Sequence, residues 1–161
     1  MQAIDLQTAK RLIDFSAGRD ELRGLGEQQL EGTLALHNKL AQHRVAYLAD
    51  EVGMGKTYVA LGVVALMRRF NPDLRVLYLL PSVNVRDKWM KDFHSFIEHN
   101  YLNDDIIVRG IGNLAGPAAP QVTCDNLADL VHALASSTAR DYFICTSAFS
   151  FGLGATAAEL E

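Results

Sequence analysis

Long apolar runs are missing from this sequence. Nowhere in its 161 residues do about 18 apolar positions follow one another, the length a membrane-crossing helix needs. The N-terminal stretch MQAIDLQTAKRLIDF carries a charge every few residues and has no apolar centre, so it does not read as a signal peptide. Cysteine is scarce: Cys124 and Cys145 stand without any C-x-x-C pairing, which argues against a disulfide framework and fits reduced thiols. Excess positive charge is missing too. With 15 Lys+Arg against 19 Asp+Glu the net charge is −4, which argues against a protein that holds nucleic acid by bulk charge and leaves a local basic groove open. His94 and His99 lie five apart and do not stack on one helical face as a zinc pair would. Together these absences lead to the expectation of a cytoplasmic protein with no membrane partner.

What is present is a chain with 49% hydrophobic and 21% charged residues, enough apolar content and length for one globular domain with a sizeable core. Residues 4–16 place Ile4, Leu12, Ile13 and Phe15 in a helical pattern that Gly18 closes. A second helix is predicted over 27–42, followed by the compact run VAYLA at 45–49, which reads as a buried strand. DEVGMGKT at 50–57 then leads into a helix with Val59, Val63 and Met67 on one face. After Asn71-Pro72, RVLYLLP reads as a second strand, and Ser82 caps a helix running to about residue 98. IIVRG at 106–110 predicts a third strand, 110–121 a loop, 125–136 a helix and 142–146 a fourth strand. Apolar strands alternating with helices imply an α/β fold, a mostly parallel sheet with helices on its faces.

The chemistry is concentrated in Gly53-Met54-Gly55-Lys56-Thr57, where a predicted strand turns into a helix. Glycines let successive backbone N–H groups curl toward phosphate oxygens, and the positive end of the following helix adds to the attraction. Lys56 is placed to reach the β- and γ-phosphates, and the Thr57 hydroxyl to hold Mg²⁺, so a nucleoside triphosphate such as ATP is the expected ligand. The full phosphate-loop pattern has an earlier glycine, and this chain has Asp50 there.

That departure gains meaning from its neighbours: LADEVGMGKT resembles the first motif of the SWI/SNF-type branch of superfamily-two helicases, where an acidic pair, here Asp50 and Glu51, replaces the early glycine. Gln29 in QQLEGTLAL resembles the upstream glutamine motif of that family. RVLYLLPSVNVRDKW and DYFICTSAF are similar to the two segments that follow in the family's order. The resemblance implies a P-loop NTPase of the RecA-like type, a three-layer sandwich of which this chain forms an incomplete lobe. It further implies that Gln29 recognises adenine, that Asp50, Glu51, Gly53, Met54, Gly55, Lys56 and Thr57 form the ATP and Mg²⁺ site with Lys56 as the catalytic cation, and that Ser82 and Thr146 lie along the nucleic-acid track. The implied partner is DNA, usually double-stranded. Each residue also has a structural reading: Gln29 as a solvated glutamine, Ser82 as a helix cap, Trp89 as core with Phe93 and Phe96, and Thr146 as a strand end.

Hydrolysis needs an acidic residue on Mg²⁺, which the family takes from an Asp-Glu pair ending an apolar strand. Asp104-Asp105 precedes its strand and Asp20-Glu21 lies in a polar loop, so neither fits. The chain is therefore expected to be the front portion of a first motor lobe that holds ATP without turning it over, with the rest of that lobe and a second lobe as missing partners. Its expected divisions are a helical extension at 1–25, the partial lobe at 26–155, and a tail at 156–161 that an expression tag would explain. Two other readings stand beside this one: a small-molecule kinase, which also uses GKT after a first strand, and a non-catalytic nucleotide- or DNA-binding module.

Overall fold

A computed structural model describes residues 3–49, 53, 55–71, 73–102 and 121–149 of the chain. Helix α1 spans Leu6–Leu12, with the Asp5 carboxylate accepting the Thr8 N–H at its start. It is shorter than the sequence pattern predicts because the Asp14 carboxylate captures Ser16 N–H, Ser16 Oγ–H and Gly18 N–H, a local turn that competes with helix continuation. Burial alone would raise the pKa of Asp14, but these donors outweigh it and hold the carboxyl below its usual value. Ile13 instead bridges to Tyr101 in antiparallel fashion.

Helix α2 spans Arg23–His43 and begins four residues before the expected position, continuing directly from a short 3₁₀ turn at Asp20–Leu22. Arg44 ends it in the left-handed conformation. The expected strand at 45–49 is not formed: these residues are irregular, and Val45 and Tyr47 are 71% and 84% exposed. Among the described residues no strand lies alongside to accept their backbone hydrogen bonds, and an apolar run without a ladder partner has no means of staying extended and buried.

Helix α3 (Lys56–Phe70) leads through a tight reversal, with Leu74 N–H donating to the Asn71 carbonyl, into strand β1 (Val76–Leu80). Helix α4 spans Val83–His99, with Ser82 as its N-cap. A three-residue strand β2 (Val122–Cys124), too short to register as a periodic pattern, precedes helix α5 (Leu127–Ser136) and strand β3 (Asp141–Cys145). The predicted strand at 106–110 and the loop around it lie outside the described residues.

The three strands form a parallel sheet in the order β1-β3-β2, with Tyr78 opposite Phe143 and Cys124 opposite Ile144. The central strand β3 is buried along all five residues, as a parallel strand covered on both sides should be. Phe143 packs with Tyr78, Leu80, Phe93 and Phe96 in a cluster that also takes in Ala9, Leu12 and Ile13 of the N-terminal segment. The rings of Tyr78 and Phe143 stack at 4.4 Å, and the half-buried Trp89 packs against Tyr78 at the margin of this cluster. Tyr142 and Ile144 point into a second cluster with Cys124, Leu130 and Ala133. Both cysteines are free and buried, and burial pushes the Cys124 thiol up. Each fully buried large apolar side chain contributes roughly 1.5 to 3 kcal/mol, so β3 is the anchor of the domain. No helix among the described residues is long and apolar enough to cross a membrane.

Candidate functional site

Of the loop singled out in the sequence, the structure describes Gly53, Gly55, Lys56 and Thr57. Gly53 and Gly55 have φ of +95° and +72°, the left-handed region that lets backbone N–H groups converge. Gly55 is the N-cap of α3, whose first residues are Lys56 and Thr57, both half-buried. A run of 15 helical residues places the partial positive charge of the helix at this end. Asp50, Glu51 and Met54 lie outside the described residues.

Gln29 is brought to the same place. Its carboxamide lies against Gly55 so closely that a methyl group there would collide with Nε2 and stand 3.3 Å from Cδ. Two residues 26 positions apart in sequence thus meet because α2 packs along α3: Thr33, one turn after Gln29, donates its hydroxyl to the Val59 carbonyl at 3.4 Å. The solvated reading of Gln29 does not describe this contact.

The opposite end of α3 is fixed by charge. Arg68, 1% exposed, forms a two-pronged ion pair with Asp141 and also donates to the carbonyls of Leu74 and Arg140. Tyr78 donates its hydroxyl to the same carboxylate at 3.0 Å, and burial followed by that charge raises the phenol well above its usual pKa. The network joins the end of α3 to the beginning of β3. From there α3 rises about 18 Å back to Lys56 at about 1.5 Å per residue, and β3 rises about 17 Å to Thr146 at about 3.3 Å per residue. Near the head of α3 the Tyr58 hydroxyl donates to Ser95 Oγ at 3.2 Å, in the second half of α4, whereas Thr146 follows β3 at the carboxyl end of the parallel strands, the end at which open α/β sheets bind ligands.

Ser82 lies at this end as well, directly after β1, where its hydroxyl accepts the Val85 N–H at 3.4 Å as the N-cap of α4. Thr146 is exposed and opens a short 3₁₀ turn after β3. Between them Arg86 of α4 pairs with Asp125 at 3.0 Å, tying the end of β2 to the first turn of α4 and raising the guanidinium pKa. The anchors Arg68 and Asp141 and the seam residue Thr33 were not singled out from sequence. Their signals were a cation at the end of an apolar helix, an acid opening an apolar strand, and a hydroxyl one turn from Gln29.

For Mg²⁺, the described residues offer the hydroxyl of Thr57 at the head of α3, and no group of three or more His, Cys, Asp or Glu side chains is arranged to hold a metal. A hydroxyl donor next to a phosphate cradle fits Mg²⁺, which keeps several waters and binds largely through substrate phosphates.

A small parallel sheet with a glycine-bearing loop at the head of a helix defines a domain compatible with the P-loop, RecA-like class. The match to known families is narrower: residues 21–150 match the model of the type III restriction enzyme res subunit, and the chain belongs to that family, a helicase-like domain of superfamily two. The family is one of helicase-like ATPases that use ATP and Mg²⁺ and act on nucleic acid. No curated protein and no solved structure matches the chain.

Proposed function

We propose that this chain is the nucleotide-holding part of the first RecA-like lobe of an ATP-driven DNA translocase, of the SWI/SNF-like kind within its superfamily. It binds Mg-ATP with the loop at 50–57 around the phosphates, Lys56 on the β- and γ-phosphates, Thr57 on the metal and Gln29 at the adenine. The observation that carries the reading is the meeting of Gln29 with Gly55 at the head of α3. A base-reading amide and a phosphate loop are useful together only if they are adjacent in space, and their separation in sequence makes that adjacency an outcome of folding. Ser82 and Thr146, at the same end of the sheet, lie along the track of double-stranded DNA. The finished lobe is a three-layer sandwich, and this part of it holds ATP without turning it over, because apart from Asp50-Glu51 of the loop itself the sequence has no Asp-Glu pair that ends an apolar run.

Calorimetric titration of the chain with Mg-ATP tests the reading. Wild type binds, and Lys56→Ala weakens binding by about 10- to 150-fold, the equivalent of one or two charge-assisted hydrogen bonds at about 1.5 to 3 kcal/mol in total. Equal affinity of the two would overturn the assignment of Lys56. Sustained ATP turnover that depends on Lys56 would overturn the claim that the chain lacks hydrolysis, and phosphorylation of a small-molecule acceptor would favour a kinase instead.

A further inference from the structure

The seam between α2 and α3 has an unusual composition for a buried contact. On α2, Gln29 and Thr33 are one helical turn apart on one face, and Thr33 is fully buried. On α3 they meet Gly55 and then Val59 and Gly62, which follow one another at spacings of four and three residues. Gly62 is under greater steric demand than its ordinary helical backbone would suggest: a methyl there would stand 2.9 Å from Cγ2 and 3.1 Å from Oγ1 of Thr33, and 2.8 Å from Cζ of Phe15. Phe15 in turn packs on Phe96 with ring centroids 6.0 Å apart, so it is held from behind. The two helices can approach this closely only because position 62 has no side chain, and their register is set by the packing of Thr33 against Gly62, with a long hydroxyl contact of 3.4 Å to the Val59 carbonyl beside it.

Register is the functional quantity here. Gln29 and Thr33 are rigidly spaced on α2, by about 6 Å of helix rise, as are Gly55 and Val59 on α3. Seating Thr33 on Gly62 and Val59 therefore sets where Gln29 stands against Gly55. A hydrogen bond from a carboxamide weakens steeply when its distance grows by a few tenths of an ångström past the ordinary range, so a small separation of the helices is enough to withdraw Gln29 from a bound base.

We propose that Gly62 and Thr33 are positioning residues for nucleotide selectivity: they hold α2 against α3 so that the Gln29 carboxamide stands beside the phosphate loop, and the preference for an adenine nucleotide depends on that seam although neither residue touches the nucleotide. The inference rests on the reading of Gln29 as the base-recognising group.

The test uses the full chain and calorimetric titration with Mg-ATP and, separately, Mg-GTP. Wild type prefers ATP. Gln29→Ala removes the preference, and Gly62→Ala removes it as well, by lowering ATP affinity about tenfold, the value of one hydrogen bond to a base, with GTP affinity unchanged. The double variant Gly62→Ala/Thr33→Ser removes the collision with Thr33 Cγ2 and leaves the one with Phe15 Cζ, so it regains part of the preference. Should Gly62→Ala not fold, Thr33→Val keeps the shape, deletes the hydroxyl contact to the Val59 carbonyl and is expected to lower the ATP preference in the same direction. Retention of the preference in Gly62→Ala or Thr33→Val when Gln29→Ala loses it overturns the proposal, as does a wild type that binds both nucleotides equally. Failure of wild type to bind either nucleotide refutes the phosphate-loop reading. The seam is then judged by the NMR signals of the Gln29 side-chain amide, which shift in Gly62→Ala with the Ile144 backbone signal unmoved. An unshifted Gln29 amide overturns the inference on its own.

Discussion

The guanidinium of Arg68 meets the carboxylate of Asp141 fork to fork, with Nη1 2.9 Å from Oδ2 and Nη2 2.8 Å from Oδ1, and the two side chains are 1% and 5% exposed. The pair joins the last turn of α3 to the first residue of β3, so its two elements lead away from a common origin toward Lys56 and Thr146. Removing one partner leaves a buried charge without compensation, which costs about 3 to 5 kcal/mol. Arg68→Met and Asp141→Leu are each expected to lose about that much in urea unfolding at pH 7, and the double variant much less than their sum. Additive losses would show that the two residues do not act as a pair.

Tyr78 adds a pH dependence to this network. Its phenol is raised well above its usual value, first by burial and then by the Asp141 charge. A raised phenol keeps its proton in the folded chain after the unfolded chain has lost its own, so the associated stability is complete below about pH 10 and falls as the pH rises further. Tyr78→Phe loses the hydrogen bond to Asp141 and is the less stable protein at pH 7 by about 1.5 to 3 kcal/mol. Above about pH 10 the gap between the two narrows by up to about 1.4 kcal/mol per pH unit, because phenylalanine has no proton to lose. Parallel stability curves for the two proteins from pH 9 to 11 would refute this account.

The elements that were legible in sequence are those whose pattern is local. Helix α4 is found within one residue of its prediction because Ser82 marks its start and Phe93 and Phe96 its buried face. Strands β1 and β3 follow from nearly continuous apolar runs. The run at 45–49 has the same character and forms no strand, because apolarity states that a segment can be buried and not that a partner lies beside it. Strand β2 exists for the converse reason: three residues suffice where β3 offers a complete ladder edge. The shortening of α1 depends on the hydrogen-bond choice of one side chain, Asp14, which periodicity does not contain. In the candidate site, GMGKT stands out in the sequence by its residue types, whereas the approach of Gln29 to Gly55 depends on the packing of Thr33 and Gly62 between two helices.

The two loop glycines should respond differently to a methyl group. Both are left-handed, so alanine at either position is expected to lose about 1 to 2 kcal/mol of stability from backbone strain. A side chain at Gly53 meets open space, whereas at Gly55 it collides with the Gln29 carboxamide. Gly55→Ala should therefore lose both Mg-ATP binding and its preference for ATP over GTP, and Gly53→Ala should bind more weakly with the preference intact. Thermal melts and nucleotide titrations of the two variants decide the matter, and an unchanged preference in Gly55→Ala would separate Gln29 from the base.

Ser82 has two roles that one substitution cannot separate and two can. As the N-cap of α4 its hydroxyl accepts the Val85 N–H, and Ser82→Ala is expected to cost about 1 kcal/mol in thermal or urea unfolding. Aspartate is as good a cap as serine and brings a negative charge to the first turn, where the helix dipole favours it. Ser82→Asp should therefore keep wild-type stability. If Ser82 also lies against the backbone of duplex DNA, the same charge repels phosphate, so Ser82→Asp weakens DNA binding at low salt and the difference from wild type shrinks as salt screens it. Stability retained with DNA binding lost would assign the residue to both roles. Stability and binding both retained in Ser82→Asp would leave it a helix cap and move the nucleic-acid track away from the end of β1.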